Sequence, residues 1–357
     1  MATWPRLTTL APIAVREKFV VCRRACDSRT RLLRGLCRAA AATTPPPPWL
    51  CSSNLPAVIG KLAKKFADDG VTRAEMQWNK ETFDYLLGLV NSPEASEMGL
   101  FLQSGYNLFE TPVPDPAWKD IVLGFRHLTV DELKMFPGWS YGWFNTTLML
   151  ECKKYLPWLM NKLKSYGVQF IQKKIHSFSE LSASYDVILN CTGVWAGDLQ
   201  PDPLLQPARG QLMKVFAPWI KHFIVTHDTN KGVYETPYIL PGSSGVVALG
   251  GCFQVGNWNQ GIDKKDRANI WEGCCNLVPS LSKARLVEEW AGLRPARHAI
   301  RLERESLRQG GAIQSEIIHN YGHGGYGVTI HWGCALELVN IFRQIALEKK
   351  RGPHSHL

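Results

Sequence analysis

The chain has 357 residues, a net charge of +10 and ordinary apolar and charged fractions of 45% and 20%, enough for two domains or one large one and too apolar for general disorder. The charge is uneven: residues 1–50 carry nine Lys and Arg against Glu17 and Asp27, and the remainder is close to balance. An excess confined to a tail argues against a basic nucleic-acid-binding body, and the lack of any run of about 18 apolar residues argues against a membrane span.

Thirteen Trp and thirty Gly suit an enzyme that buries a ligand, although an aromatic-rich core explains them as readily. The ten Cys are scattered, with no C-x-x-C pair and no Cys/His cluster at zinc spacing, so no metal centre is expected. Cys191, in an apolar strand, and Cys334, in a helix, read as small buried hydrophobes of a reducing compartment.

Residues 1–70 are Arg-, Ala- and Leu-rich and run through four alanines into Pro45-Pro46-Pro47-Pro48. This is a poorly ordered extension or a targeting presequence. A helix begins near Glu75, with Asn79, Phe83, Leu86, Leu87 and Val90 on one face, and is expected to stop at Pro93. Short strands and proline-marked loops follow from Gly99 to Trp118, and Thr129 with Glu132 forms a capping box. Tyr155 to Tyr166 is amphipathic through Leu156, Leu159, Met160 and Leu163, Gly167 ends it, and residues 168–171 read as a strand.

Tyr185 to Gly193 is a continuous apolar run opening into small polar residues, the way a central parallel strand ends at the ligand edge of an α/β sheet. Ile317 to Leu347 gives a second such strand, a turn with Gly322, Gly324, Gly325 and Gly327, and a long helix. The two strands belong to one sheet. Gly322, Gly324 and Gly327 fit G-x-G-x-x-G, a weak signal alone, but a strand, glycine turn and helix together present backbone N–H groups to an anion or cofactor. Between these strands, residues 210–215, 238–240, 246–249 and 285–290 read as an antiparallel or mixed sheet inserted as a second domain.

Candidate chemistry converges on a small anionic ligand. Arg294, between an apolar strand and a proline turn, offers a guanidinium fork for a carboxylate; a structural Arg at a domain boundary is the plain alternative. Tyr234 and Tyr238, in a loop with Gly232, suit a lid or are ordinary loop aromatics. No G-x-S-x-G elbow, Walker loop or H-E-x-x-H is present, which removes the common hydrolase and phosphotransferase sets. Redox chemistry on a bound cofactor needs no such set.

Asn190 to Gly197, Arg209-Gly-Gln211, Gly251 to Trp258, Gly292-Leu-Arg-Pro295 and above all His319 to Gly333 resemble the D-amino-acid oxidase family of flavoenzymes, from about Gln77 to the C-terminus. The resemblance implies an α/β fold: a Rossmann-like FAD-binding domain (148–200 and 291–347) and a substrate domain with a large mixed sheet (75–147 and 201–290). It implies that the α-hydrogen of a neutral D-amino acid passes as hydride to flavin N5. Dioxygen then yields hydrogen peroxide, and the imino acid hydrolyses to a 2-oxo acid and ammonia.

By the same resemblance Arg294 clamps the substrate carboxylate, Tyr238 hydrogen-bonds it, Tyr234 closes the lid and the Gly325 carbonyl accepts the amine. Gly324, Gly325, Tyr326, Gly327, Val328 and Thr329 line FAD, with Ile175 and Thr192 touching it from neighbouring strands. The sister D-aspartate oxidases are expected to add a cation for a second carboxylate. Here the lid segment Thr226-His227-Asp228 offers His227 and no Arg, which favours neutral substrates.

A homodimer is expected. Ser355-His356-Leu357 resembles the S-K-L peroxisomal address and its import receptor, against mitochondrial or cytoplasmic alternatives. The departure lies in residues 1–70, which show no dinucleotide fingerprint; Val58-Ile59-Gly60-Lys61 is a poor stand-in, and weak or absent FAD binding is expected. The alternative function is a family variant that does not hold FAD and acts at most as a binding or dimerising partner.

Overall fold

The computed structural model describes residues 20–22, 56–59, 72–228 and 236–351. In the N-terminal segment it describes two strands, β1 (Val20–Cys22) and β2 (Pro56–Ile59). The expected poor order of the rest of that segment lies outside the described residues, as do Tyr234, Gly232 and Ser355-His356-Leu357.

Thr72 starts α1 (Arg73–Leu87) with a capping box: its hydroxyl accepts from the Glu75 N–H at 3.2 Å, and the Glu75 carboxylate accepts from the Thr72 N–H at 2.8 Å. The helix ends at Leu87, before Pro93 is reached. Gly88 is a poor helix former, and the carbonyls of Leu86 and Leu87 are taken by tighter turns to Leu89 and Val90. Then come α2 (Ala95–Met98), β3 (Leu100–Phe109), β4 (Leu123–His127), α3 (Val130–Leu133) under the expected Thr129–Glu132 box, β5 (Tyr141–Glu151) and α4 (Cys152–Ser165). The buried side of α4 is Cys152, Tyr155 and Trp158, while Leu156, Met160 and Leu163 stay half-buried. The two aromatics reach the cluster formed with Phe83 and Leu86 of α1.

Residues 168–171 are not a strand; a strand needs a neighbouring backbone, and among the described residues none lies beside them. The chain continues through α5 (Ser179–Ser182), β6 (Val187–Asn190), a 3-10 turn at Gly193–Asp198, β7 (Gln206–Phe216), β8 (Phe223–His227), β9 (Tyr238–Pro241), β10 (Val246–Gly250), β11 (Gln254–Val255) and α6 (Lys264–Leu277). β12 (Arg285–Gln309), β13 (Ala312–His323) and α7 (Gly327–Arg351) complete it. Tyr238 therefore opens a strand, as the reading of 238–240 implies, and does not lie in the lid loop with Gly232.

Among the described residues, thirteen strands make one mixed sheet whose main path runs β1-β6-β13-β12-β7-β10-β9-β8-β3-β5-β2. The 25-residue β12 pairs with β7 through its first half and with β13 through its second. Arg294 was expected before a proline turn, yet the strand runs straight through Pro295. Pro295 faces Pro207 across the ladder, so neither missing N–H leaves an unsatisfied carbonyl opposite.

β6 and β13 are parallel, Ile317 opposite Ile188 and His319 opposite Asn190, in one sheet as their sequences implied. Ile318 and Val187 face α7 through Leu338 and Ile345, and Ile317 and Ile188 face Ile175, Phe178 and Leu181 on the other side. Burial on both faces explains the unbroken apolar runs. β1 lies on the far side of β6 and runs antiparallel to it, Val20 opposite Leu189 and Cys22 opposite Val187. β2 sits at the opposite end of the sheet against β5.

The helices α1 and α7 meet backbone to backbone. The ring of Tyr85 stacks on Trp332 at 3.7 Å, the Gly333 N–H donates to the Thr82 hydroxyl at 3.1 Å, and a methyl on Gly333 would overlap the Trp78 backbone. Gly333→Ala is expected to destabilise the fold by about 1–3 kcal/mol through this overlap, read as an earlier urea midpoint at unchanged slope.

Candidate functional site

The parallel strands β6 and β13 end at one edge, and each turns on small residues there. After β6, the Asn190 side-chain oxygen accepts from the Thr192 hydroxyl at 2.7 Å and from its N–H at 3.3 Å. The Asn190 amide donates to His319 Nδ1 at 3.1 Å, and His319 Nε2 meets Glu305 at 3.2 Å. Burial pushes the His319 pKa down, so the neutral ring accepts at Nδ1 and donates from Nε2, a tautomer assigned from its partners. This pins Thr192, which is 8% exposed, at the edge. Cys191, beyond the strand end, is exposed and not the buried hydrophobe expected.

After β13 the glycine turn is held from three sides. Gly322, at φ +89, lies where a side chain would come within 2.9 Å of Arg297 Cβ, and Gly324 is at φ +56, a region open to glycine at little cost. The Gly324 N–H donates to the Pro295 carbonyl at 2.8 Å. Tyr326 is buried among Phe109, Trp118 and Trp143, leaving Gly325 the exposed residue of the turn. Gly327 and Val328 begin α7, and Thr329, 4% exposed, donates its N–H to the Tyr326 carbonyl at 2.9 Å.

Arg294 stands next to that hydrogen-bonded proline. It pairs with Ala208 across the ladder, and its guanidinium lies over Gly210, where a methyl would collide with it. Crossing β7 in this way, Nη1 donates to the Cys252 carbonyl at 3.1 Å, and the guanidinium carbon is 5.5 Å from the centre of the Phe253 ring. Tyr238, 6% exposed, fills the space beside Gly250 and Gly251. Tyr238, residues 250–252, Arg294 and the glycine turn thus form one connected wall. Ile175 is core beneath β6 and β13, outside any strand, and Tyr234 lies outside the described residues. Gly210, Cys252 and Phe253 were missed as site residues, although all lie inside segments that carry the resemblance.

The arrangement fits a bound cofactor at this edge. Two parallel strands open at one edge, nothing lies within 4 Å of the position a side chain would take at Gly193, and the N-terminal N–H groups of a 25-residue helix stand behind the glycine turn.

Two half-buried histidines stand close by. The Tyr155 hydroxyl donates to His331 Nε2 at 2.8 Å and His331 Nδ1 donates to the Val328 carbonyl at 2.7 Å, while His323 Nε2 donates to Asn320 at 3.0 Å. Burial pushes both rings from 6.5 down to about 4. The unfolded chain therefore binds these protons first as pH falls, so their contribution to stability is complete above about pH 6.5 and is lost toward pH 4. Melting temperature is expected to drop across that window, and His331→Gln should shrink the drop.

Comparison with known proteins gives the same picture. The profile of the family described as "DAO: FAD dependent oxidoreductase" matches residues 17–341. The chain is similar to D-aspartate oxidase from Homo sapiens, 40% identical over 79% of this chain and 81% of that one. It is also similar to D-amino-acid oxidase from Rubrobacter xylanophilus, 36% identical over 73% and 77%, and to D-amino acid oxidase from Dugesia ryukyuensis, 33% over 77% and 81%. Among solved structures, glycine oxidase from Geobacillus kaustophilus superposes with a TM-score of 0.66 at 15% identity, covering 82% of this chain and 85% of that chain, a likeness of fold. The α/β chain, with its large mixed sheet, belongs to the DAO family of FAD-dependent oxidoreductases, whose cofactor is FAD.

Proposed function

We propose that this chain oxidatively deaminates neutral D-amino acids, taking substrate, dioxygen and water to a 2-oxo acid, ammonia and hydrogen peroxide. The observation that carries the reading is the Gly324–Pro295 hydrogen bond, which joins the glycine turn to the residue after Arg294. A guanidinium and the backbone carbonyl of an exposed residue, Gly325, are the two groups an α-amino acid needs for its carboxylate and its amine. Bound FAD supplies the hydride acceptor.

In this reading Arg294 holds the carboxylate, with Tyr238 and Tyr234 completing the pocket, and the Gly325 carbonyl accepts from the amine. Thr192 and residues 324–329 receive FAD from the edge, with Ile175 beneath. No side chain acts as general base; the residues orient Cα and exclude water, which lowers the barrier by several kcal/mol. Residues 148–200 and 291–347 serve the cofactor, and 75–147 with 201–290 serve the substrate. A homodimer and a peroxisomal address at Ser355-His356-Leu357 suit a peroxide-forming enzyme.

The neutral class is supported by Thr226-His227-Asp228. The His227 ring is stacked on Phe109 at 4.4 Å, and the segment offers no Arg for a second carboxylate. The 40% identity to a D-aspartate oxidase favours an acidic substrate as the second reading. The antiparallel β1 favours weak FAD retention, because after Cys22 the chain leaves at the edge away from the glycine turn.

Purification with added FAD followed by gel filtration tests retention through the visible flavin band. Faster turnover of D-alanine than of D-aspartate supports the neutral reading, and the reverse order replaces it. Arg294→Ala, assayed with added FAD, is expected to cut kcat/KM for D-alanine by roughly 100- to 1000-fold at the same flavin content as wild type; near-normal turnover refutes the clamp. Gly210→Ala, which pushes the guanidinium aside, should lose D-alanine turnover in the same way.

A further inference from the structure

Behind Cys252 lies a second guanidinium for which the proposed chemistry has no use. Arg209 is 1% exposed and ion-paired to Asp266 at 2.6 Å. A buried pair of this kind is poor value as a stabiliser, since the desolvation of both charges offsets most of their attraction. Its surroundings point instead to a geometric task. The β7 ladder is interrupted along one edge: β10 last pairs Leu249 with Met213, and β11 resumes pairing at Gln254 with Arg209. Residues 251–253 therefore have no ladder to place them, yet the Cys252 carbonyl among them takes the Arg294 hydrogen bond.

The Arg209 fork fills the gap. Nη1 reaches Asp266, Gln254 Oε1 at 3.1 Å and Cys252 Sγ at 3.7 Å, and Nη2 donates to the Gly261 carbonyl at 2.8 Å. The Gln254 amide closes the ring by donating to both Asp266 oxygens, at 3.0 and 3.1 Å. On the strand itself, the Gln211 N–H that the interrupted ladder leaves over donates to Cys252 Sγ at 3.1 Å. Asp266 is fixed in turn, because the carboxylate of Asp263, the N-cap of α6, accepts from its N–H at 2.9 Å.

We infer that Arg209 and Asp266, braced by Gln254, are positioning residues that set the Cys252 carbonyl and through it aim the Arg294 guanidinium at the substrate carboxylate. The inference rests on the proposed function for the identity of that ligand and on the geometry alone for the placement of Arg294. A loosened carbonyl lets the fork swing, and a misplacement of about 1 Å costs on the order of 100-fold where geometry is demanding. Partial loosening costs less.

The test uses the full chain loaded with FAD, as wild type, Asp266→Asn and Gln254→Leu. For Asp266→Asn the KM for D-alanine is expected to rise about tenfold with kcat changed less than about threefold, because Arg294 is still present in every folded molecule. Gln254→Leu should move KM in the same direction by less. A merely structural role gives the opposite split, a lower apparent kcat at unchanged KM, and overturns the inference. As a readout independent of turnover, phenylglyoxal labelling of Arg294, followed by peptide mass spectrometry, should be several-fold faster in both variants. If Asp266→Asn does not fold, Gln254→Leu decides. If the wild type oxidises no D-amino acid, the proposed function falls while the labelling rate still decides the positioning role: faster labelling supports it, and an unchanged rate rejects it.

Discussion

The site depends on one place in β7 where there is no side chain. Arg294 starts from β12 and must lie flat across β7 to reach the Cys252 carbonyl beyond it, and only a glycine at 210 leaves room. Any larger residue would turn the guanidinium outward, and the wall that joins Tyr238 to the glycine turn would lose its central member. The charge of Arg294 would survive such a change; its direction would not.

Direction is also what the neighbouring hydrogen bonds supply. Pro295 has no N–H to give, and its carbonyl is taken by Gly324, so a residue that commonly ends a strand here ties β12 to the turn before α7. On the other side of the turn, Tyr326 is anchored among Phe109 of β3, Trp143 of β5 and Trp118 of the turn between β3 and β4. The turn is thus held between two regions more than a hundred residues apart in sequence. Such long-range fixing suits a site whose task is alignment, since orientation is lost when either support moves.

The buried polar groups follow the same logic. His319, His323 and His331 are kept neutral by burial and have each ring nitrogen that matters committed to a named partner, so none is poised as an acid or base at neutral pH. Arg209 and Asp266 form a closed pair behind Cys252. An enzyme whose electron transfer is carried by a cofactor has little need of titrating side chains and considerable need of fixed ones.

Much of this was legible in the amino-acid sequence. The two apolar runs ending in glycine-rich turns announced paired parallel strands, because a strand buried on both faces has no polar side to show. Thr129 with Glu132 announced a helix start, and the candidates Arg294, Tyr238 and Gly325 come from motifs short enough to read locally. What tertiary structure decided was non-local: that β12 runs on through Pro295 opposite another proline, that residues 168–171 have no neighbouring strand among the described residues, and that Gly210 and the Cys252 carbonyl lie against Arg294. Their roles come from atoms brought alongside by folding across 42 to 84 positions of chain, and a glycine or a carbonyl carries no chemical mark of such a task until its neighbour is in place.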